Sequence, residues 1–283
     1  MPSIFRKKSS VDASAASTTT GTPVHTSDSE MEGALIEHSI GDAPSPQNAL
    51  DLFEDHWVSA LPSILGLHAG ELPLFDDERI KKVLGSMDSI KNSRVLELAP
   101  LEGGHTYMLH EAGAKVVAIE ARAHAFLKCL VVKEILNLNR AHFLLGDFRA
   151  YLKSTFDRYD MVLASSVLHE QPNPIELLEA IAKVTDKVVI WTHYWDPRHA
   201  SGTQLSSVVD ATAQETPCRG KLVKVHPIRP QGSVDDDAPI FASWLERDAL
   251  LTALHTLGFE NVNVLDDEPD HPAGPAILLV AER

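Results

Sequence analysis

RVLELAPLEGGHTYMLHEAGAKVVAIE, residues 94–120, is the stretch that decides the fold of this chain. It opens with a strand-like apolar run, RVLELA (94–99), and closes with another, KVVAIE (115–120). Between them HTYMLHEAG (105–113) has helical spacing. Strands buried on both faces that alternate with helices are typical of a parallel sheet with crossover helices. The stretch therefore predicts one strand–helix–strand unit of an α/β fold.

The same alternation continues along the chain. Three more strand-like runs follow, AHFLLG (141–146), YDMVLAS (159–165) and DKVVIWTH (186–193). The helical stretches between and after them are AHAFLKCLVVKEILNLN (123–139), RAYLKST (149–155), NPIELLEAIAKVT (173–185) and SWLERDALLTALHTLGF (243–259). The last two strands, ENVNVL (260–265) and AILLVAE (276–282), are joined by a loop, so an antiparallel hairpin is predicted. The fold class is α/β, a Rossmann-like, mostly parallel, seven-stranded sheet with a closing antiparallel hairpin and helices on both faces.

The remaining segments predict three further parts. Residues 1–45 are rich in Ser, Thr, Ala and Asp and predict a disordered tail. Residues 46–90 predict an N-terminal helical cap with helices over NALDLFEDHWVSALPSIL and DDERIKKVLGSM. Residues 91–283 form the main domain. Within it, 196–240 have weak periodicity and predict a long lid-like insertion, with a hairpin around KLVKVHPIR.

Composition excludes several classes of function. The formal net charge of −15 repels phosphate backbones, so nucleic-acid binding is disfavoured. Cys129 and Cys218 are isolated, which argues against a disulfide framework and a zinc site. No apolar run approaches the roughly 18 residues that a membrane span needs. No secretory signal is recognised, and we expect a cytoplasmic protein.

Two acids mark the ends of the first two strands. In a doubly wound sheet, ligands bind at the carboxyl ends of the strands. Glu97 lies at the end of the first strand and Glu120 at the end of the second. A carboxylate at the position of Glu120 can accept two hydrogen bonds from a ribose diol. Because NAD and S-adenosylmethionine both contain that ribose, Glu120 does not decide between them.

The turn after the first strand favours one of the two cofactors. A pyrophosphate needs converging backbone N–H groups, but Pro100 has none and Glu102 would repel phosphate. S-adenosylmethionine has a sulfonium, an amino group and one carboxylate, so Glu97 and Glu102 are tolerable near it. Gly103 and Gly104 still allow close approach of the backbone. The sequence therefore predicts a cationic, phosphate-free nucleoside cofactor.

Asp147 follows the third strand in LLGDF. Its carboxylate can accept the adenine amino group, and the N–H of Phe148 can reach a ring nitrogen. The alternative is an ordinary helix N-cap, which Asp at this position also predicts. Both interpretations stay open at this point.

Several segments together resemble the class I S-adenosylmethionine-dependent methyltransferases. They are VLELAPLEGGHTYML, VVAIEARAHAFLKCLVVKEILNL, FLLGDF, YDMVLASSVLHEQPNP and WTHY. Within that class they are similar to the branch that includes the tRNA wobble-uridine carboxymethyltransferase-like proteins. The resemblance covers roughly residues 47–283 and implies a Rossmann-like sheet and a cofactor pocket at Glu97, Gly103, Glu120, Asp147 and Ser165. The chain has Ala99 where the usual E/D-x-G-x-G pattern has its first glycine.

Catalysis would be in-line methyl transfer, for which the protein supplies proximity and alignment. A base is needed only for a protonated acceptor, and His169 or His193 can serve since both lie just past strand ends. Each can equally be a structural histidine. Tyr194, with Trp191 and Trp195, can line an acceptor site, or pack in the core. No histidine or cysteine spacing indicates a metal ligand set.

Three functions remain open. The first is an S-adenosylmethionine-dependent methyltransferase with a small-molecule acceptor, as a monomer or homodimer. The second is methyl or carboxymethyl transfer to a tRNA base, which a basic rim of Lys81, Lys82 and Lys128 with the 196–240 segment would favour. The third is a non-catalytic nucleoside-binding or scaffold protein, which a pocket mouth closed by the N-terminal cap would favour.

Overall fold

The computed structural model of the chain describes residues 39–198, 213–228 and 242–283. The elements all belong to one compact unit, Pro44–Arg283. The predicted tail therefore lies almost wholly outside the described residues, as do 199–212 and 229–240 of the predicted insertion.

Ten strands are described. They are β1 (Arg94–Leu98), β2 (Lys115–Glu120), β3 (Ala141–Leu145), β4 (Met161–Ser165), β5 (Lys187–His193), β6 (Gln214–Cys218), β7 (Lys221–Ile228), β8 (Ala242–Leu245), β9 (Asn261–Glu268) and β10 (Ala276–Glu282). The described α-helices are α1 (Pro46–Asp51), α2 (Glu78–Gly85), α3 (Gly104–Glu111), α4 (Ala123–Ile135), α5 (Phe148–Ser154), α6 (Pro174–Val184) and α7 (Arg247–Thr256).

Seven strands form the main sheet in the order β3-β2-β1-β4-β5-β10-β9. Strands β1 to β5 are parallel to one another, and β10 runs antiparallel between β5 and β9. The order reverses at β1, where β2 and β4 flank it, so a crevice opens above these strand ends. The predicted α/β sheet with its closing antiparallel hairpin is confirmed.

Helices cover both faces of this sheet. Side chains of α2, α3 and α4 pack in the core on one face, and those of α5, α6 and α7 pack in the core on the other. In β1, Val95 enters the first core while Leu96 and Leu98 enter the second. Apolar side chains on both faces explain why the strands are continuous apolar runs in the sequence.

A smaller sheet corrects one prediction. Strands β6, β7 and β8 form a three-stranded antiparallel sheet. The run KLVKVHPI, around which a hairpin was predicted, is the single strand β7, and it joins β6 through a turn at Arg219 and Gly220. The start of the predicted helix 243–259 is wrong, because Ala242–Leu245 is β8 and the helix begins at Arg247. Pairing with β7 and burial of Trp244 and Leu245 override the helical pattern there.

The N-terminal segment is less helical than predicted. Helix α1 ends at Asp51, and the chain then turns back so that the Trp57 indole donates to the Leu50 carbonyl at 2.9 Å. Beyond it, Ser59 forms a β-bridge with Leu72. Short 3₁₀ turns at Ser63–Leu65 and Leu74–Asp76 lead into α2. We call residues 56–76, which precede α2, the cap segment.

None of the described helices is both long enough and apolar enough to cross a membrane.

Candidate functional site

A cavity of about 240 Å³ opens over the carboxyl ends of β1 and β4. Its floor is the turn after β1 and the residues that follow β4, and its outer wall is the cap segment with the first turn of α2. The lining residues are Val58, Leu72, Leu74, Arg79, Ala99, Pro100, Leu101, Gly104, His105, Ser165 and Ser166. The cavity thus lies at the switch point of the sheet, where ligands of this architecture bind.

The turn after β1 has a left-handed backbone at positions without glycine. Ala99 has φ 52° and Leu101 has φ 57°, and Gly103 follows with φ 82°. Ala99 and Leu101 stand at the two glycine positions of the E/D-x-G-x-G pattern. A left-handed conformation costs an L-residue roughly 1–2 kcal/mol, and such strain concentrates at ligand sites. The chain therefore keeps the backbone shape of a glycine turn while using larger residues.

Two buried acids lie beside this turn. Glu97 is 2% exposed and accepts a hydrogen bond from the Thr106 hydroxyl; burial, reinforced by the charge of Glu120, raises its pKa. Glu120, also 2% exposed, accepts the Leu101 N–H at 3.2 Å and the Arg122 N–H at 3.0 Å. Glu120 is thus fixed against the turn at the end of β2.

The position of Glu102 corrects the electrostatic prediction. Its carboxylate is fully buried and accepts the Val58 N–H at 3.0 Å and the Ser59 N–H at 2.8 Å. It also forms a buried ion pair with Lys128. Like Glu97 and Glu120, Glu102 does not line the cavity; it differs from them because Lys128 offsets its charge and the cap segment uses its oxygens. The idea that Glu102 would repel a phosphate in the cavity was therefore wrong, because this acid serves the cap segment.

Lys128 completes this attachment. Its ammonium donates to the His56 carbonyl at 2.5 Å and lies 5.2 Å from the centre of the Trp57 ring. On the other side of the turn, a Cβ added to Gly104 would lie 2.6 Å from the Leu74 carbonyl oxygen. The cap segment therefore rests directly on the turn through a buried charge pair and a close backbone contact.

A charged cluster at the cavity wall was not predicted from the sequence. Asp77, the N-cap of α2, accepts from the Arg79 Nε at 3.0 Å with both oxygens. Its Oδ2 also lies 2.8 Å from His105 Nε2, within hydrogen-bond distance. Burial alone would raise the pKa of Asp77, but the hydrogen bonds from His105 and Arg79 outweigh it and hold the pKa well below its usual range. Asp77 and His105 are 28 residues apart, so no spacing in the sequence could have paired them.

The other predicted cofactor residues do not all line the cavity. Ser165 lines the cavity. Asp147 caps α5 by accepting the Arg149 N–H at 2.8 Å, and an ion pair with Arg149 lowers its pKa. The N-cap interpretation is thus the one observed, and the adenine contact stays a prediction. The Phe148 side chain is buried in the core on the α5–α7 face.

Both predicted histidines lie together, and neither is among the residues that line the cavity. The His169 and His193 ring centroids are 4.8 Å apart. His193 also stacks on Trp244 at 5.1 Å and meets the edge of Trp191 at 5.0 Å. The Arg79 guanidinium, which lines the cavity, lies 4.5 Å from the Trp191 ring centre. Arg79 and Trp191 therefore connect the cavity with the histidines.

Tyr194 is separated from this group. It belongs to the core on the opposite face of the sheet, where its hydroxyl donates to Asp267 at 3.0 Å. Burial and this hydrogen bond raise the pKa of Tyr194 to about 12. Trp195 stacks on His226 in the small sheet at 4.5 Å. Alternation along β5 explains the separation, because successive side chains point to opposite faces.

Among residues 39–198, 213–228 and 242–283, no three His, Cys, Asp or Glu side chains are grouped so that they could hold a metal ion.

Solved structures share this architecture. No protein-family profile and no curated protein sequence matches the chain. The N-terminal domain of EvdMO1, crystallised with SAH and D-fucose, has a TM-score of 0.60 and 22% identity over 83% of this chain and 94% of that domain. The same domain with SAH bound gives 0.61 at 21% identity and the same coverage. The chain therefore has the fold of this domain. Against EvdMO1 at greater length the TM-score is 0.58, and the match spans 46% of that chain.

Proposed function

We propose that this protein is an S-adenosylmethionine-dependent methyltransferase with a small-molecule acceptor. The observation that carries the proposal is the crevice itself: buried Glu120 ends β2 beside a left-handed, glycine-like turn, at the switch point of a seven-stranded methyltransferase-type sheet. The EvdMO1 domain of the same fold holds SAH, the product form of this cofactor.

Residues that line the cavity or lie beside its turn suit the three parts of the cofactor. Glu120 would accept the ribose diol, as a carboxylate at this strand end does in nucleoside-binding folds. Glu97 is an acid beside the turn that can favour the positive amino group. Arg79 is the one arginine or lysine among the cavity-lining residues described, and it would bind the carboxylate. Asp77 and Trp191 already hold Arg79 in place, so little side-chain entropy would be lost on binding.

When bound, S-adenosylmethionine supplies an electrophilic methyl group on its sulfonium. The protein's part is to hold that group in line with an acceptor, and such positioning lowers a barrier by up to about 7–11 kcal/mol in favourable cases. The floor at Ser165 and Ser166 and the apolar cap-segment residues Val58 and Leu72 would exclude water from the line of transfer.

The RNA alternative has less support. Of the basic residues that would form a basic rim, Lys128 is buried against Glu102, Lys81 pairs with Asp76 and Glu78, and Lys82 pairs with Asp266. Pairing with acids cancels the field that would attract phosphates. Within the described part of the chain, the rim therefore favours a small acceptor over tRNA.

The scaffold alternative predicts a closed mouth. Val58 and Leu72 at the edge of the cavity are instead 40% and 52% exposed. Exposed apolar side chains around an open cavity are typical of a ligand site. The geometry thus favours a protein that admits a ligand.

Calorimetric titration tests the cofactor directly. We expect S-adenosylmethionine and S-adenosylhomocysteine to bind with one site per chain, and NAD to give no heat. A screen for methyl transfer to phenols, sugars, amines, carboxylates and tRNA then tests turnover. Binding of NAD, or of none of the three, would reject the cofactor; binding without transfer to any acceptor would favour the scaffold alternative.

A further inference from the structure

His169 and His193, which Trp191 and Arg79 connect with the cavity, differ in which ring nitrogen can take up a proton. Both are neutral near pH 7, because burial lowers the pKa of His169 to about 3 and also lowers the pKa of His193. A neutral imidazole has one N–H and one lone pair, and the partner of one nitrogen fixes the role of the other.

In His193 the lone pair is on Nε2. Its Nδ1 lies 2.9 Å from the Gly274 carbonyl oxygen and 3.3 Å from that of Pro275. A carbonyl oxygen only accepts, so Nδ1 carries the hydrogen and donates. The loop between β9 and β10 therefore holds His193 with Nε2 ready to accept a proton.

In His169 the arrangement is reversed. Its Nδ1 accepts the backbone N–H of His193 at 3.3 Å, and the Thr192 hydroxyl lies 3.2 Å away. The hydrogen of neutral His169 is therefore on Nε2, which can donate but cannot take up a proton. The structure thus separates two residues that the sequence left equivalent as candidate bases.

The groups that face His193 are cationic or aromatic. His169 lies at 4.8 Å and His271 at 5.2 Å between ring centroids, and the charges of His271 and Arg79 both oppose a proton on His193. Asp77 neutralises Arg79 by an ion pair. Trp191 and Trp244 supply the remaining ring contacts. None of these four ring neighbours is a carboxylate that would hold an ammonium acceptor, and a carboxylate acceptor would need no base.

We propose that the acceptor is a neutral hydroxyl compound with an apolar ring face, a phenol or a sugar, and that His193 Nε2 is its general base. His169 is a positioning residue that fixes the backbone of His193. The inference rests on the proposed methyltransferase function and names the acceptor class of that site.

The proposed step is balanced. As the acceptor oxygen attacks the methyl carbon of the sulfonium, the O–CH₃ bond forms and the S–CH₃ bond breaks. The hydroxyl proton passes to His193 Nε2, and S-adenosylhomocysteine leaves as a neutral sulfide. The imidazolium then releases its proton to water, so no other reactant is needed.

The pH profile of the unmodified enzyme is the first test. A base whose pKa lies below the usual histidine value of 6.5 is ready at neutral pH and is lost on acidification. We expect kcat/KM for a phenol to be constant at neutral pH and to fall tenfold per pH unit below an inflection under 6.5. A constant rate through the acid range, with the fold intact by circular dichroism, would overturn the proposal.

Variants and acceptor acidity give the second test. We expect His193→Asn to lose about 10²- to 10⁴-fold in kcat with phenol and to lose the inflection. With 4-nitrophenol in mildly alkaline buffer, where the acceptor is already ionised, the loss should shrink below tenfold. His271→Gln, which changes a neighbouring ring in the same cluster, is the matched control. It should keep most of the activity and an acid inflection, moved toward 6.5 because one charge that opposes a proton on His193 is gone. An equal loss on both phenols would show a structural role and contradict the base.

Two further measurements keep the outcomes separate. The affinity of His193→Asn for S-adenosylhomocysteine should stay within about threefold of that of the wild type. If the wild type itself does not bind S-adenosylhomocysteine, the proposed function is rejected together with this inference. Parallel assays with phenols and with methyl glycosides of deoxy sugars distinguish the two sources of hydroxyl. Transfer to amines alone would overturn the acceptor class.

Discussion

Glu102 and Glu120 lie on two sides of the same turn and are buried to nearly the same extent, 0% and 2% exposed. On the cap side, Glu102 binds two backbone N–H groups and Lys128, so it attaches one segment of the protein to another. On the crevice side, Glu120 meets the turn and Arg122 at a strand end that faces a ligand site. The role of a buried acid therefore follows from its hydrogen-bond and ion-pair partners and not from its burial alone. The comparison predicts that changes on the cap side alter stability and those on the crevice side alter binding.

The largest expected effect is on the cap side. Lys128→Met leaves the Glu102 carboxylate buried without its counter-charge, which costs about 3–5 kcal/mol. We expect urea denaturation to show that loss in the free energy of unfolding. The double variant Glu102→Gln/Lys128→Met has no unpaired charge and should recover most of it. A single variant as stable as wild type would refute the role of this pair.

Glu120→Ala on the crevice side should separate binding from stability. Two hydrogen bonds to a charged group are worth about 3 kcal/mol or more, so affinity for S-adenosylhomocysteine should fall about 100-fold or more. Calorimetry measures the affinity and thermal melting checks that the fold survives. Glu134→Ala, an exposed acid on α4, is the control and should bind normally. Unchanged affinity in Glu120→Ala would show that Glu120 does not bind the cofactor and would contradict the proposed pocket.

Gly104→Ala probes the contact between the two sides. The new methyl would lie 2.6 Å from the Leu74 carbonyl oxygen, so the cap segment has to shift, at a cost of about 1–3 kcal/mol. Gly85→Ala at the end of α2 meets no atom within 4 Å and should be neutral or slightly stabilising. Denaturant midpoints of both variants, measured together, decide whether the contact is as close as described.

The smallest effect should come from the strained turn. Ala99→Gly relieves a left-handed backbone worth about 1–2 kcal/mol, although the greater freedom of glycine in the unfolded chain offsets about 0.4–1 kcal/mol of it. We expect a net stabilisation of up to about 1 kcal/mol by thermal melting. Ala150, an exposed residue of helix α5, has an ordinary helical backbone, so Ala150→Gly should destabilise instead. A loss of stability in both variants would contradict strain at Ala99.

The sequence predicted the main sheet well because its strands are buried on both faces. The predicted run 115–120 coincides with Lys115–Glu120, and 276–282 with Ala276–Glu282. Predictions failed where distant pairing decides the local structure. Helix α1 is short because the chain turns back on Leu50, and β8 replaces a helical turn because it pairs with β7.

For the candidate site, the sequence located the strand ends but not the partners. Glu120 and Ser165 could be placed because each ends a recognisable strand. The partner of Glu102 lies 26 residues further along the chain, and that of His105 lies 28 residues back. Neither distance corresponds to a helical or strand repeat. The tautomers of the histidines depend on backbone groups of other segments, which no local pattern encodes.

The left-handed residues Ala99 and Leu101 bear on how distant proteins of this fold are recognised. A sequence comparison lowers the score of this chain at both positions where glycine is customary, although the backbone at both has the positive φ that glycine favours. A comparison of coordinates is not affected by these residue changes, because it depends on backbone positions and not on residue type. Other chains that have replaced their glycines in this way should be sought by torsion angle, and their ligands considered together with those of their glycine-bearing counterparts.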